Sequence, residues 1–280
     1  MNFIASKPQS FSWRQVHKVG SNMRKGLPYN EDILELFLQH HVYLTTEVMG
    51  ICEAAMNSLL TPYNTSESPD IEPDSGAYNL SARVKTQPTL IEKLRRMPEY
   101  PLENIFDVSG VRFDCDLTLS EQIEISKMFQ SCLLIAGADE VKIFDMREDP
   151  HSGYRAVHLR IYCAAGRAEL QVRTALQAQW ANMYEAAADV YGRDIRYLEF
   201  GAKLKDTTAE KIEVLHEISE VAYLAESFID KVHASARSAM HTAPTLQETR
   251  QLRQKAYELI TNELESLRQQ RAHEESKEVR

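Results

Sequence analysis

Between Ser81 and Pro98 the chain reads Ser-Ala-Arg-Val-Lys-Thr-Gln-Pro-Thr-Leu-Ile-Glu-Lys-Leu-Arg-Arg-Met-Pro, unusually basic for this protein. Arg83 and Lys85 are two apart and point the same way if that stretch is extended. Pro88 suits the first turn of a helix and Pro98 its exit, so Leu90, Ile91, Leu94 and Met97 are the expected buried stripe. Lys93 and Arg96, three apart, then share another face. A basic strand end running into a basic short helix makes a positive concavity, the kind of place where a phosphate-bearing anion is held. Further along, three alternating segments carry acid, base or imidazole groups opposite their apolar side. Arg112, Asp114 and Asp116 face away from Val111, Phe113, Cys115 and Leu117; His158, Arg160 and Tyr162 from Val157, Leu159 and Ile161; Glu169, Gln171 and Arg173 from Leu170 and Val172.

The elements needed to position these groups are legible as changes of period. Residues 12–60 repeat apolar residues at helical spacing (Ile33, Leu34, Leu36, Phe37, Leu38, Leu44, Val48), and 61–77 is a loop rich in Pro, Ser, Asp and Glu. Four strands are expected over 108–117, 139–146, 156–163 and 167–173. Thr174-Ala-Leu-Gln177 is a capping box opening a helix whose stripe, Leu176, Trp180, Met183, Ala187 and Tyr191, should pack under the sheet. Beyond Leu204 the chain reads as helix, broken near Pro244, with stripes Ile212, Leu215, Ile218, Ala222, Ile229 and Leu252, Ala256, Leu259, Leu264, Leu267. These stripes could pack back on the core, form a seam for self-association, or bind a partner; Arg271 to Arg280 reads as a solvated end.

The formal net charge of −9 over 280 residues argues against a protein that lives on nucleic acid, while leaving room for a local basic pocket. Cys52, Cys115, Cys132 and Cys163 form no C-x-x-C pair and read as small apolar residues in a reducing compartment. His40-His41 belongs to no zinc-binding pattern. With no apolar run of about 18 residues and no charged leader before an apolar stretch, the expectation is a cytoplasmic protein without a membrane partner.

In order and spacing, Arg83-x-Lys85, Lys93, Asp107-x-x-Gly110-x-Arg112, Gly153-Tyr154-Arg-Ala-Val-His158 and Glu169-Leu-Gln171-Val-Arg173-Thr174 resemble the RelA/SpoT synthetase domain over roughly residues 80–197. The resemblance implies an α+β fold: a nucleotidyltransferase-like mixed sheet flanked by helices, with N-terminal helices (1–79), a synthetase core (80–200) and a long helical C-terminal extension (201–280). It implies a transfer of pyrophosphate from ATP to a ribose 3′-hydroxyl. Arg83 and Arg112 would sandwich adenine, Lys85 and Lys93 would hold phosphates, and Thr89 would add a hydroxyl. Asp107 and Glu169 would be the catalytic residues and share Mg²⁺. Tyr154 would stack on the acceptor base, with His158, Gln171 and Arg173 lining that side. The chemistry itself asks for these types, because phosphoryl transfer rests on positioning and charge and magnesium takes one or two carboxylates beside substrate phosphates.

Departures fall on the acceptor side. Pro150 and His151 stand where many guanosine-specific members carry a lysine, Ala156 replaces a Ser or Thr, and Ala178 and Tyr184-Glu185 replace an Asn and a Glu-His. Gly-Tyr-Arg-Ala-x-His resembles toxic small synthetases of toxin–antitoxin systems, which implies an antitoxin as a possible partner of the C-terminal helices. The acceptor therefore stays open among guanosine nucleotides, adenosine nucleotides and the 3′ CCA end of tRNA. A sensor that binds nucleotide without transfer is the non-enzymatic alternative. No His-Asp dipeptide occurs and the stretch before residue 80 is short for the family's hydrolase domain, so alarmone hydrolysis is not expected. Arg155 reads as exposed scaffolding, outside the site.

Overall fold

A computed structural model of the chain describes residues 2–59, 63–68, 70–192, 195, 206–237 and 243–278. The first helical stretch divides into α1 (Trp13–Lys25) and α2 (Glu31–Asn57). Gly26 ends α1 at φ 67°, a left-handed conformation that costs glycine little, and Asn30 caps α2 through Ile33 N–H. The Pro- and Ser-rich stretch that follows holds a short strand, β1 (Asn64–Thr65), before β2 (Ala77–Val84). The basic strand end expected around Arg83 is the last part of β2, whose Asn79-Leu80-Ser81-Ala82-Arg83-Val84 alternates polar with apolar residues; β1 lies in a stretch expected to be loop. Helix α3 (Gln87–Arg96) follows with Pro88 in its first turn.

The four expected strands are β3 (Ser109–Cys115), β4 (Glu140–Asp145), β5 (Val157–Cys163) and β6 (Gly166–Thr174). Helix α4 (Leu119–Ala136) joins β3 to β4, and α5 (Ala175–Tyr191) leaves β6 through the Thr174 capping box. The sheet order is β1-β2-β3-β6-β5-β4, parallel for β1/β2 and β3/β6 and antiparallel elsewhere. Register places Val111, Phe113 and Cys115 beside Leu170, Val172 and Leu159 on the face covered by α2 and α4, whose Leu44, Val48, Phe129 and Leu133 are fully buried there. The opposite face carries the polar alternates.

Two expectations about packing are corrected. Met97 is 37% exposed, because as the residue ending α3 it has left helical geometry (φ −113°, ψ 73°); Leu90 and Leu94 alone are fully buried. The α5 stripe does not pack under the sheet. Leu176, Trp180, Met183 and Ala187 instead meet α6 (Asp206–Arg237) and α7 (Ala243–Glu278), and Trp180 Nε1 donates to Leu215 O at 2.9 Å. Pro244 falls in the first turn of α7, where a missing N–H costs nothing. The helices bury Ile212, Leu215, Ile218, Ala222, Ile229, Ala256, Leu264 and Leu267 and leave Leu252 and Leu259 exposed. Cys52, Cys115 and Cys163 are buried free thiols. Among the described residues no helix is long and apolar enough to cross a membrane.

Candidate active site

Register decides which polar side chains meet. Arg83 on β2 lies opposite Gly110 on β3, which in turn lies opposite Glu169 on β6, itself opposite Arg160 on β5. The next row runs Ser81, Arg112, Gln171, His158 and Phe144.

Asp107 stands in a 3-10 turn, Phe106–Val108, that delivers the chain into β3. Its carboxylate joins two elements: Lys85 Nζ, beyond the end of β2, donates to Oδ2 at 2.8 Å, and Lys93 Nζ, from α3, donates to Oδ1 at 2.6 Å. Burial pushes the Asp107 carboxyl up, but the two ammonium groups outweigh it and hold it below the usual carboxylate range. Around this triad is a cleft of about 330 Å³ lined by Arg83, Lys85, Thr89, Lys93 and Asp107, and by Glu185 and Asp189 of α5. Thr89 Oγ1 donates to Thr86 O at 2.8 Å, inside the first turn of α3.

Glu169 is buried at the middle of the open face. Its Oε1 lies 3.3 Å from His158 Nδ1, and its Oε2 accepts from Gln171 Nε2 at 3.0 Å. Burial and the nearby charge of Asp107 raise its proton affinity; His158 and Gln171 overcome both, so the carboxyl sits below its ordinary range as a carboxylate. Hard oxygen donors of this kind suit Mg²⁺, whose remaining ligands come from phosphate and water. Among the described residues no set of three His, Cys, Asp or Glu is arranged around a metal position.

On the other side of Glu169, Tyr154 and His158 form one unit: Tyr154 Oη is 3.1 Å from His158 Nε2 and donates to Gln171 Oε1 at 3.5 Å. Burial pushes the Tyr154 hydroxyl up to about 12, so it stays protonated. Arg173 Nε and Nη2 both donate to Asp114 at 2.7 Å, a bidentate pair closed off from solvent, so Arg173 faces the site as buried charge with part of its donor fork spent. Arg112 feels Arg83, Arg173, Tyr154 and Glu185 at once; burial and the two guanidiniums lower its proton affinity.

Arg155 is the clearest correction. It is buried, not exposed: Nε donates to Ser219 Oγ at 3.3 Å, other donors reach Arg147 O and Glu220, and the guanidinium lies 4.2 Å from the Tyr223 ring centroid. Ser219 Oγ donates to Gly153 O, so α6 holds the turn that presents Tyr154. Sequence reading missed Glu185 and Asp189; their four-residue spacing on α5 was the available signal. His41 is buried, its Nδ1 lies 2.7 Å from Ser109 Oγ, and burial lowers its pKa to about 3, leaving it neutral.

Residues 82–195 match the model of a region found in RelA / SpoT proteins. An uncharacterized protein of Mycobacterium tuberculosis and one of Mycobacterium bovis are each 49% identical over 120 residues, an alignment that spans 43% of this chain and 43% of each relative. Small alarmone synthetase 1 of Bacillus subtilis aligns in structure at TM-score 0.43 with 20% identity, over 75% of this chain and 96% of that one; its complex with AMPCPP aligns at 0.43 with 18% identity, over 74% and 97%. The stretch from Arg83 to Asp189, which supplies Asp107, Glu169 and the cleft around them, falls within the residues that match this model.

Proposed function

We propose that this chain is an ATP-dependent pyrophosphokinase, transferring the β,γ-pyrophosphate of ATP to the 3′-hydroxyl of a guanosine or adenosine nucleotide. The observation that carries the reading is the Asp107 carboxylate held by Lys85 and Lys93 at the wall of the cleft, with the Glu169 carboxylate one strand away. In the unliganded chain the lysines neutralise Asp107; an incoming polyphosphate offers them a better anion and frees the carboxylate. Asp107 and Glu169 would then hold Mg²⁺, which supplies charge neutralisation on the phosphate oxygens. Arg83 and Arg112 offer planar guanidiniums to the donor base, with Thr89 at the cleft wall. Tyr154, with His158 and Gln171 behind it, offers a ring to the acceptor base, and Arg173 supplies fixed positive charge beneath.

The acceptor oxygen forms a bond to the β-phosphorus as the bond from that phosphorus to the α–β bridging oxygen breaks, and AMP departs. The hydroxyl proton passes to Glu169, which its surroundings keep ionised and therefore able to accept it.

The test is transfer of label from γ-labelled ATP with Mg²⁺ to GDP, GTP, AMP, ATP or deacylated tRNA. Label on a guanosine or adenosine nucleotide is expected. Label on tRNA alone would move the acceptor to a polynucleotide end, and label on none would leave a nucleotide-binding sensor.

A further inference from the structure

The open face of the sheet continues beyond Glu169 to the edge strand β4, where it carries groups the proposed transfer leaves unused. Lys142 and Phe144 on β4, Arg160 and Tyr162 on β5, and Arg167 on β6 all share the face of His158 and Glu169. Arg160 is the direct cross-strand partner of Glu169, yet it makes no ion pair with it among the described residues. Its guanidinium lies over the Phe144 ring, 4.4 Å from the centroid, and 5.4 Å from that of Phe106. Among the described residues it has no hydrogen-bonded partner. Other inward-turned arginines differ: Arg147, Arg155, Arg173 and Arg253 each meet a carboxylate. One row further on, Arg167 repeats the arrangement over Tyr162, 4.5 Å from its centroid.

Seating between two rings fixes a guanidinium through its face and leaves its N–H fork unspent along the edge. A planar fork held in place, half-buried and without a counter-ion, suits a phosphate group, which it can meet with two parallel hydrogen bonds. Neighbouring strands lie about 4.8 Å apart, on the order of the width of a ribose. Resting on the reading in which Glu169 meets the attacking hydroxyl, we propose that Arg160 is a phosphate receptor for the acceptor. It takes the phosphate 5′ to the ribose that attacks, and Phe144 and Phe106 are the residues that aim it. The same chemistry is offered by the 5′-phosphates of a free nucleotide and by the phosphodiester preceding the last residue of a strand.

The experiment is calorimetric titration of the full chain, its donor cleft filled with Mg²⁺ and a non-hydrolysable ATP analogue. The probes are guanosine, adenosine, their 5′-diphosphates and the trinucleotide CCA. The phosphorylated probes should bind about tenfold or more tightly than the nucleosides. Arg160→Ala should erase that preference and Arg160→Lys recover part of it, with nucleoside and ATP-analogue affinities unchanged in both. A preference seen with the diphosphates assigns the receptor to free nucleotides; one seen with CCA alone assigns it to a strand end. A phosphate preference that survives Arg160→Ala, or none in the unmodified chain, overturns the proposal. Transfer assays run in parallel separate the two readings. Arg160-dependent phosphate binding without transfer to any acceptor keeps the receptor and removes the pyrophosphokinase; transfer with unaltered KM in Arg160→Ala does the reverse.

Discussion

Asp107 serves two masters, the pair of lysines that neutralise it and the cation it would help to hold. Replacing it by asparagine leaves Lys85 and Lys93 without a shared anion. Asp107→Asn should therefore bind ATP more tightly than the unmodified chain when EDTA is present, while turnover with Mg²⁺ is lost; a fluorescent-nucleotide titration and the transfer assay check both. Glu169→Gln keeps shape and loses the base, so kcat should fall by about 10²–10⁴ with donor affinity retained. The acids also set a pH dependence. Both have folded pKa values below their ordinary ones, so each contributes stability that is complete above the ordinary carboxylate range and is lost as pH falls through the depressed folded value. Urea unfolding across that acidic window should show a shallower loss in Glu169→Gln than in the unmodified chain.

At the scale of elements, the turn before β5 depends on α6. Gly153 has φ 80°, and a Cβ there would stand 2.9 Å from Trp180 Cζ2. Gly153→Ala should cost about 1–3 kcal/mol of stability and raise KM for the acceptor more than for ATP, since Tyr154 is the next residue. Thermal denaturation and separate KM measurements test this. Asp114 and Arg173 link β3 to β6 beneath the site as a buried pair. Asp114→Asn leaves a guanidinium without its counter-ion, and a loss of about 3–5 kcal/mol is expected by chemical denaturation. Elements also show what a single strand pattern conveys: alternation placed Arg112, His158 and Glu169 on polar faces, but only pairing made those faces one surface.

For the molecule as a whole, α6 and α7 are a second core, not an appendage. A chain ending at Gly192 would expose Leu176, Trp180, Met183 and Ala187, and should lose cooperative unfolding and bind a hydrophobic dye. Glu226 of α6 is sealed against Thr174 and Gln177 at the start of α5. Burial raises its carboxyl above the ordinary range despite those hydrogen bonds and Arg253. Its contribution to stability is therefore complete below its unfolded pKa and lost as pH rises through the folded value. Glu226→Gln should remove that decline, leaving stability flatter between the ordinary glutamate range and neutrality.

The sequence alone determined the strands of the core, the basic segment before them and the order of side chains that matches the RelA/SpoT region, because period and residue type are local properties. It also marked Trp180 as core. It did not determine that Arg155 is buried, that the α5 stripe faces helices instead of the sheet, or that Arg160 lies between Phe144 and Phe106 beside Glu169. Those facts depend on contacts such as Arg155 with Ser219, 64 residues apart. Chain order leaves such pairs unspecified; cross-strand register and helix docking decide them.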